Sequence, residues 1–124
     1  MILPALKRGG YAFDTQVNIG KRIGGGIHKV DAVAEKEGRK WLVSLKWQQV
    51  SGTAEQKVPF EVICLAEAVG QGGFEKAYLV LGGEGWKLRK FYVEGGLSKY
   101  LRGTERVEIV TLEAFVANAN TGKL

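Results

Sequence analysis

The chain has 124 residues, 45% of them hydrophobic and 25% charged, the balance of one globular domain rather than a disordered segment or a large multi-domain enzyme. Lys and Arg number 18 against 13 Asp and Glu, and the formal net charge of +5 favours polyanionic partners such as nucleic acid or an anionic membrane surface. Cys64 is the one cysteine, which excludes an internal disulfide, argues against a Cys-based zinc site and fits a reducing, intracellular (cytoplasmic) compartment. No apolar run approaches the roughly 20 residues of a membrane span, so no membrane is expected as a partner. Met1 to Leu6, interrupted by Pro4 and followed by Lys7, is too short for a signal peptide.

Glycine punctuates the chain and supplies its turns, with 18 Gly against 2 Pro. No linker, repeat or low-complexity tract divides it, so residues 1–124 read as a single domain. Residues 2–9 suit a short helical turn, and Tyr11 to Ile19 alternates as a strand. After the Gly24-Gly25-Gly26 break, Ile27 to Ala34 and Trp41 to Trp47 read as two strands of a β-hairpin joined by the charged turn Glu35 to Lys40. Val58 to Val69 reads as a helix, with Pro59 in its first turn. Lys76 to Leu81 is a strand, Leu97 to Leu101 one or two turns of helix, Val107 to Leu112 a strand, and Leu112 to Asn118 a closing helix. The order is (α)βββαβαβ(α), a mixed α/β fold.

The chemistry concentrates in the hairpin. Strand side chains alternate between faces, so Trp41, Val43, Leu45 and Trp47 form a core face and leave Ser44, Lys46 and Gln48 lining something polar. A hairpin turning symmetrically about Glu37-Gly38 puts Asp31 opposite Ser44 and Lys29 opposite Lys46. An acid, a hydroxyl, a lysine and an amide then gather on one sheet face. A carboxylate there can hold Mg²⁺, and a lysine beside it can stabilise charge or orient water, the parts of metal-assisted phosphodiester hydrolysis. A surface Asp–Lys cross-strand pair, worth little, explains the same residues without chemistry.

Val30-Asp31, a charged turn and an apolar strand ending in Lys46 resemble the PD-(D/E)xK nuclease superfamily. The run from Ser44 to Glu61 is similar to a restriction-endonuclease-like branch in which a Lys-x-Gln strand end leads into Gly-Thr-Ala-Glu and a helix. The resemblance implies a restriction-endonuclease-like core, a mixed central β-sheet flanked by helices, that hydrolyses DNA with Mg²⁺ (or Mn²⁺). It also implies a second metal carboxylate at position 44, where this chain has Ser44. Glu55 and Glu61, on the helix after the Lys strand, are the candidates to replace it, with Glu55 preferred. An acid near a helix N-terminus also suits the helix dipole, and Thr53 with Gln56 suits a capping box.

The candidate site is therefore Asp31, Lys46, Ser44 and Gln48 for catalysis, and Asp31, Glu55 and Glu61 for metal. Lys21, Arg22, Lys57, Lys87, Arg89 and Lys90 are the DNA-contact candidates. The last three lie beside Trp86, Phe91 and Tyr92, a mixture that suits nucleic acid or an amphipathic edge strand. His28 sits three positions before Asp31, on the opposite strand face and without a role as its partner, and Cys64 reads as a small core residue. The expected function is a divalent-metal-dependent DNA endonuclease, acting as a homodimer in restriction, repair or Holliday-junction resolution. The alternative is a DNA-binding module that kept the nuclease scaffold and lost catalysis, for which Ser44 is the argument.

Overall fold

The computed structural model describes residues 1–124. In chain order it contains α1 (Ile2–Arg8), β1 (Ala12–Lys21), β2 (Ile27–Lys36), β3 (Arg39–Trp47), α2 (Ala54–Gly70), β4 (Lys76–Gly82), α3 (Arg89–Val93), a 3-10 turn (Gly96–Lys99), β5 (Val107–Thr111) and α4 (Leu112–Asn120). The strands form one five-stranded mixed sheet in sequence order. β1, β2 and β3 meander antiparallel, whereas β3, β4 and β5 run parallel. This is the mixed central sheet flanked by helices that the family resemblance implies.

Helices cover both faces. Val58, Val62, Leu65 and Val69 of α2 and Tyr92 of α3 pack with Leu42, Leu79 and Leu81 on one face. Ala5 and Leu6 of α1 and Phe115 and Ala119 of α4 pack with Trp41, Val43 and Val80 on the other. A sheet carrying parallel strands must be buried on both sides, which is why Leu42 and Leu79 are as buried as Val43 and Val80. The sequence reading allotted the core to one face of β3. The face it left polar is a second core layer as far as Leu42 and becomes polar only at the strand's carboxyl end.

The β2–β3 turn is the two-residue one. Glu37 (φ 54°) and Gly38 (φ 79°) both take positive φ, as a type I′ turn requires, and Lys36 pairs with Arg39. The symmetric register follows, through Ala34↔Trp41 to Ala32↔Val43. There the uniform alternation ends. Ala32 and Ala34 belong to the α1/α4 core, whereas Val30 belongs to the α2 core, so β2 changes its inward face at Asp31. β1 changes beside it at Gln16, whose φ is 52°, and the β1–β2 pairing skips from Thr15↔Ala32 to Val17↔Val30.

α2 starts four residues earlier than the sequence suggests, so Pro59 lies inside it and not in its first turn. Proline has no N–H to donate to the carbonyl four residues back. That carbonyl belongs to Glu55, and the buried Tyr92 hydroxyl donates to it at 2.8 Å. Nor does Thr53 form the capping box, since its side chain makes no cap hydrogen bond. The Gln48 amide oxygen accepts from the Ala54 N–H instead, at 3.0 Å. The segment around Lys90, for which an edge strand is one of the two readings, is the short helix α3.

Tyr92→Phe is expected to cost about 1–3 kcal/mol, because it strands a buried carbonyl that the proline already orphaned. The shift in urea midpoint measures it. Burial, and after it the Glu55 charge, push the Tyr92 phenol above its ordinary value of 10.0. The unfolded chain loses that proton first, so this contribution is intact below pH 10 and declines as pH rises above it. The Tyr92→Phe variant should lose that part of the alkaline decline.

Candidate active site

The site is built where β2 and β3 separate. Past Ala32↔Val43, the Asp31 carboxylate replaces the ladder: its Oδ2 accepts the Leu45 N–H at 2.7 Å. This fixes the acid beside the Ser44-Leu45-Lys46 strand end. Asp31 is half-buried, its other oxygen accepts no hydrogen bond, and it has no cationic partner. Lys46, also half-buried, is equally unpaired; the salt bridges of the molecule are Arg22–Glu61, His28–Glu61 and Lys76–Glu108.

Behind Ser44 lies a buried polar group. The Ser44 hydroxyl donates to Glu61 Oε2 at 2.9 Å, and His28 Nε2 lies 3.3 Å from the same oxygen. Arg22 Nη1 reaches Glu61 Oε1 at 3.3 Å. Glu61, on α2, is 2% exposed, whereas the Arg22 side chain, reaching in from the β1–β2 hairpin, is 31% exposed. A buried carboxylate needs such compensation, and an arginine supplies it with charge as well as hydrogen bonds. His28 reaches this group because the face change at Asp31 turns it, with Val30, towards α2.

Gln48 and Glu55 form a separate brace. The Gln48 amide nitrogen donates to the Gly85 carbonyl at 2.8 Å and lies 3.3 Å from Glu55 Oε1, while its oxygen caps α2. Glu55 accepts the Lys87 N–H at 2.7 Å and the Leu88 N–H at 2.8 Å, one on each oxygen. Both side chains are buried, and together they tie the β4–α3 loop to the start of α2. The two acids expected as alternatives thus differ: Glu55 is engaged by backbone N–H groups, whereas Glu61 reaches Ser44.

Of the basic candidates, Lys21, Lys57, Lys87, Arg89 and Lys90 are exposed, while Arg22 is turned inward onto Glu61. Cys64 is buried and free, as expected of a core residue. Trp47 departs from the expected core face: it is 57% exposed. As the last residue of β3 it extends beyond the helical layer that covers Trp41 and Val43. Its position at the strand end, before Gln48-Gln49, was the available signal. The pairing of Arg22 with Glu61 and of Tyr92 with Glu55 had none, since the partners lie 39 and 37 residues apart in the chain.

A family model described as a PD-(D/E)XK nuclease superfamily domain matches residues 2–123. The chain belongs to the PD-(D/E)XK nuclease superfamily. The fold is shared with a crystal structure titled as the protein of unknown function AF1548, at a TM-score of 0.55 and 14% identity. The alignment covers 90% of this chain and 54% of that one, so this chain spans about half the length of its structural relative. No curated protein matches the chain. No helix is long and apolar enough to cross a membrane.

PD-(D/E)XK nucleases generally use divalent metals. No three His, Cys, Asp or Glu side chains converge on one point in this structure. The donors present nonetheless fit a hard cation in kind. Asp31 offers a carboxylate oxygen with neither hydrogen bond nor counter-charge, and Glu61 supplies a second carboxylate behind Ser44, compensated by a partly exposed arginine.

Proposed function

We propose that this chain is a divalent-metal-dependent DNA endonuclease in which Asp31, Glu61 and Lys46 carry the chemistry. The observation supporting it is the unpaired Asp31 carboxylate, held by the Leu45 N–H at the strand end that bears an unpaired Lys46. Asp31 and Glu61 would hold Mg²⁺ or Mn²⁺, with Glu61 freed when Arg22 swings to solvent. Such an ion supplies positive charge against the phosphate and acidifies water. Lys46 holds the scissile phosphate and stabilises the negative charge that grows on it as the phosphodiester is attacked. Ser44 keeps Glu61 in place by hydrogen bonding. Gln48 and Glu55 act as positioning residues, fixing α2 and the following loop. Two copies related by a two-fold axis would cut both strands of a duplex.

Lys21, Lys57, Lys87 and Lys90 would neutralise backbone phosphates, and Arg89 would contact the DNA beside them. Binding should therefore weaken with salt, with a slope of log affinity on log salt reduced by roughly 1 for each of these lysines replaced by Ala. Fluorescence anisotropy of labelled DNA at several salt concentrations measures it.

The alternative, an inactive DNA-binding module, is favoured by Ser44 and by the Arg22 and His28 contacts that occupy Glu61. Supercoiled plasmid, single-stranded DNA and a four-way junction, incubated with Mg²⁺ or Mn²⁺ and with EDTA, separate the two. Cleavage abolished by EDTA supports the nuclease. DNA binding without cleavage under any metal condition supports the module.

A further inference from the structure

The parallel strands β3, β4 and β5 end together, and their carboxyl ends enclose an open cleft of about 630 Å³. Trp47 lines it from the end of β3, Gln49 from the bend that follows, Glu84 from the loop after β4, Glu113 from the start of α4, and Arg89 from α3. Open α/β sheets bind ligands at this end of their strands. The Trp47 indole is seated: a Cβ on Gly82 would lie 2.5 Å from its Cε3, and the same point is 3.6 Å from Leu112 Cδ2. The ring thus packs directly on Gly82, where an added Cβ would displace it, and leaves 57% of the residue open.

The charge of the cleft selects its occupant. Glu84 and Glu113 outnumber Arg89, which disfavours a phosphate. The set suits a flat ring that presents N–H donors to the carboxylates and acceptors to Arg89 and Gln49, as adenine, guanine and cytosine do. Lys46 directly precedes Trp47 on β3, and strand alternation sends the two to opposite faces. A strand with its phosphate at Lys46 must curl around the carboxyl end of β3 to bring a neighbouring base onto Trp47. A base held in a continuous duplex stack cannot do this.

We propose that the cleft takes an unpaired nucleobase of the DNA substrate, stacked on Trp47, which makes the preferred substrate one with single-stranded character beside the cut. The proposal rests on the nuclease reading above.

The test compares wild-type protein, Trp47→Ala and Trp47→Phe by anisotropy on three labelled DNAs. One is a duplex with a single-stranded overhang, one has the same overhang made abasic, and one is fully paired. The wild type should bind the normal overhang most tightly. Trp47→Ala should lose about 5- to 150-fold there and bind the other two as the wild type does. Trp47→Phe should keep most of the preference, since a smaller ring still stacks. Trp41 and Trp86 are 5% and 7% exposed, so overhang-dependent quenching of tryptophan fluorescence reports on Trp47 and should vanish in Trp47→Phe. Equal losses on all three DNAs, or a wild type indifferent to removal of the overhang bases, would overturn the base site. A wild type that cleaves DNA while Trp47→Ala binds unchanged sinks this proposal alone. A wild type that binds none of the three sinks the nuclease reading with it.

Discussion

Lys46→Ala is expected to reduce DNA cleavage by about 10²- to 10³-fold while leaving the protein folded, the scale of losing one preorganised charge at a transition state. The side chain is half-buried and makes no salt bridge, so its removal leaves no partner stranded. Stability should stay within about 0.5 kcal/mol of the wild type. DNA affinity should fall far less than the cleavage rate, because one phosphate contact among several exposed lysines and arginines is lost. The comparison requires single-turnover cleavage rates and equilibrium binding on the same DNA. A parallel fall in affinity and rate would make Lys46 an ordinary phosphate contact.

The second large effect lies at Glu61, and it acts on the fold as well as on the reaction. Glu61→Ala removes the acceptor of Ser44, His28 and Arg22 together, leaving a buried hydroxyl and a buried ring without partners. Breaking a buried charged group by deleting one member costs about 3–5 kcal/mol. The lower end applies here, because Arg22 can turn into solvent. A urea titration should show the midpoint falling with the slope unchanged. Glu61→Gln keeps the shape and one acceptor oxygen, so it separates the two roles. A folded Glu61→Gln protein that no longer cleaves supports a metal-binding carboxylate, and one that cleaves as the wild type assigns Glu61 to structure alone.

The parts of this molecule that were legible in its sequence are those set by local chemistry. Glu37-Gly38 dictates a tight turn, the turn dictates the β2–β3 register, and the register brings Asp31 to the Ser44–Lys46 strand end. The element order followed from glycine spacing and alternation in the same way. What sequence periodicity missed depends on breaks in that periodicity. The change of face at Asp31, coupled to a positive φ at Gln16, sends His28 to Glu61. The early start of α2 is made possible by Gln48 capping from outside the helix and by Tyr92 relieving Pro59. The His28 and Tyr92 contacts join distant segments, which no local pattern records, and the Gln48 cap, only six residues from Ala54, takes the place of the Thr53 cap that the local pattern favours. The different surroundings of Glu55 and Glu61 were hidden in the same way. Proximity to Gly-Thr-Ala favoured Glu55, whereas the path of the helix across the sheet carries Glu61 to Ser44 and leaves Glu55 clasping the Lys87 and Leu88 N–H groups.

Asp31 accepts the Leu45 N–H and holds its charge open for a cation, and Asp31→Asn isolates that charge. The amide oxygen can still accept the Leu45 N–H, so the strand end keeps its shape while the negative charge disappears. The measurement is the rate of supercoiled plasmid relaxation by wild-type and Asp31→Asn proteins across a Mg²⁺ titration, with equal thermal midpoints as the control. The wild type should cut in a metal-dependent way, and Asp31→Asn should not cut at any Mg²⁺ concentration. Cutting by Asp31→Asn at the wild-type rate, with the same Mg²⁺ dependence, would contradict that role for Asp31.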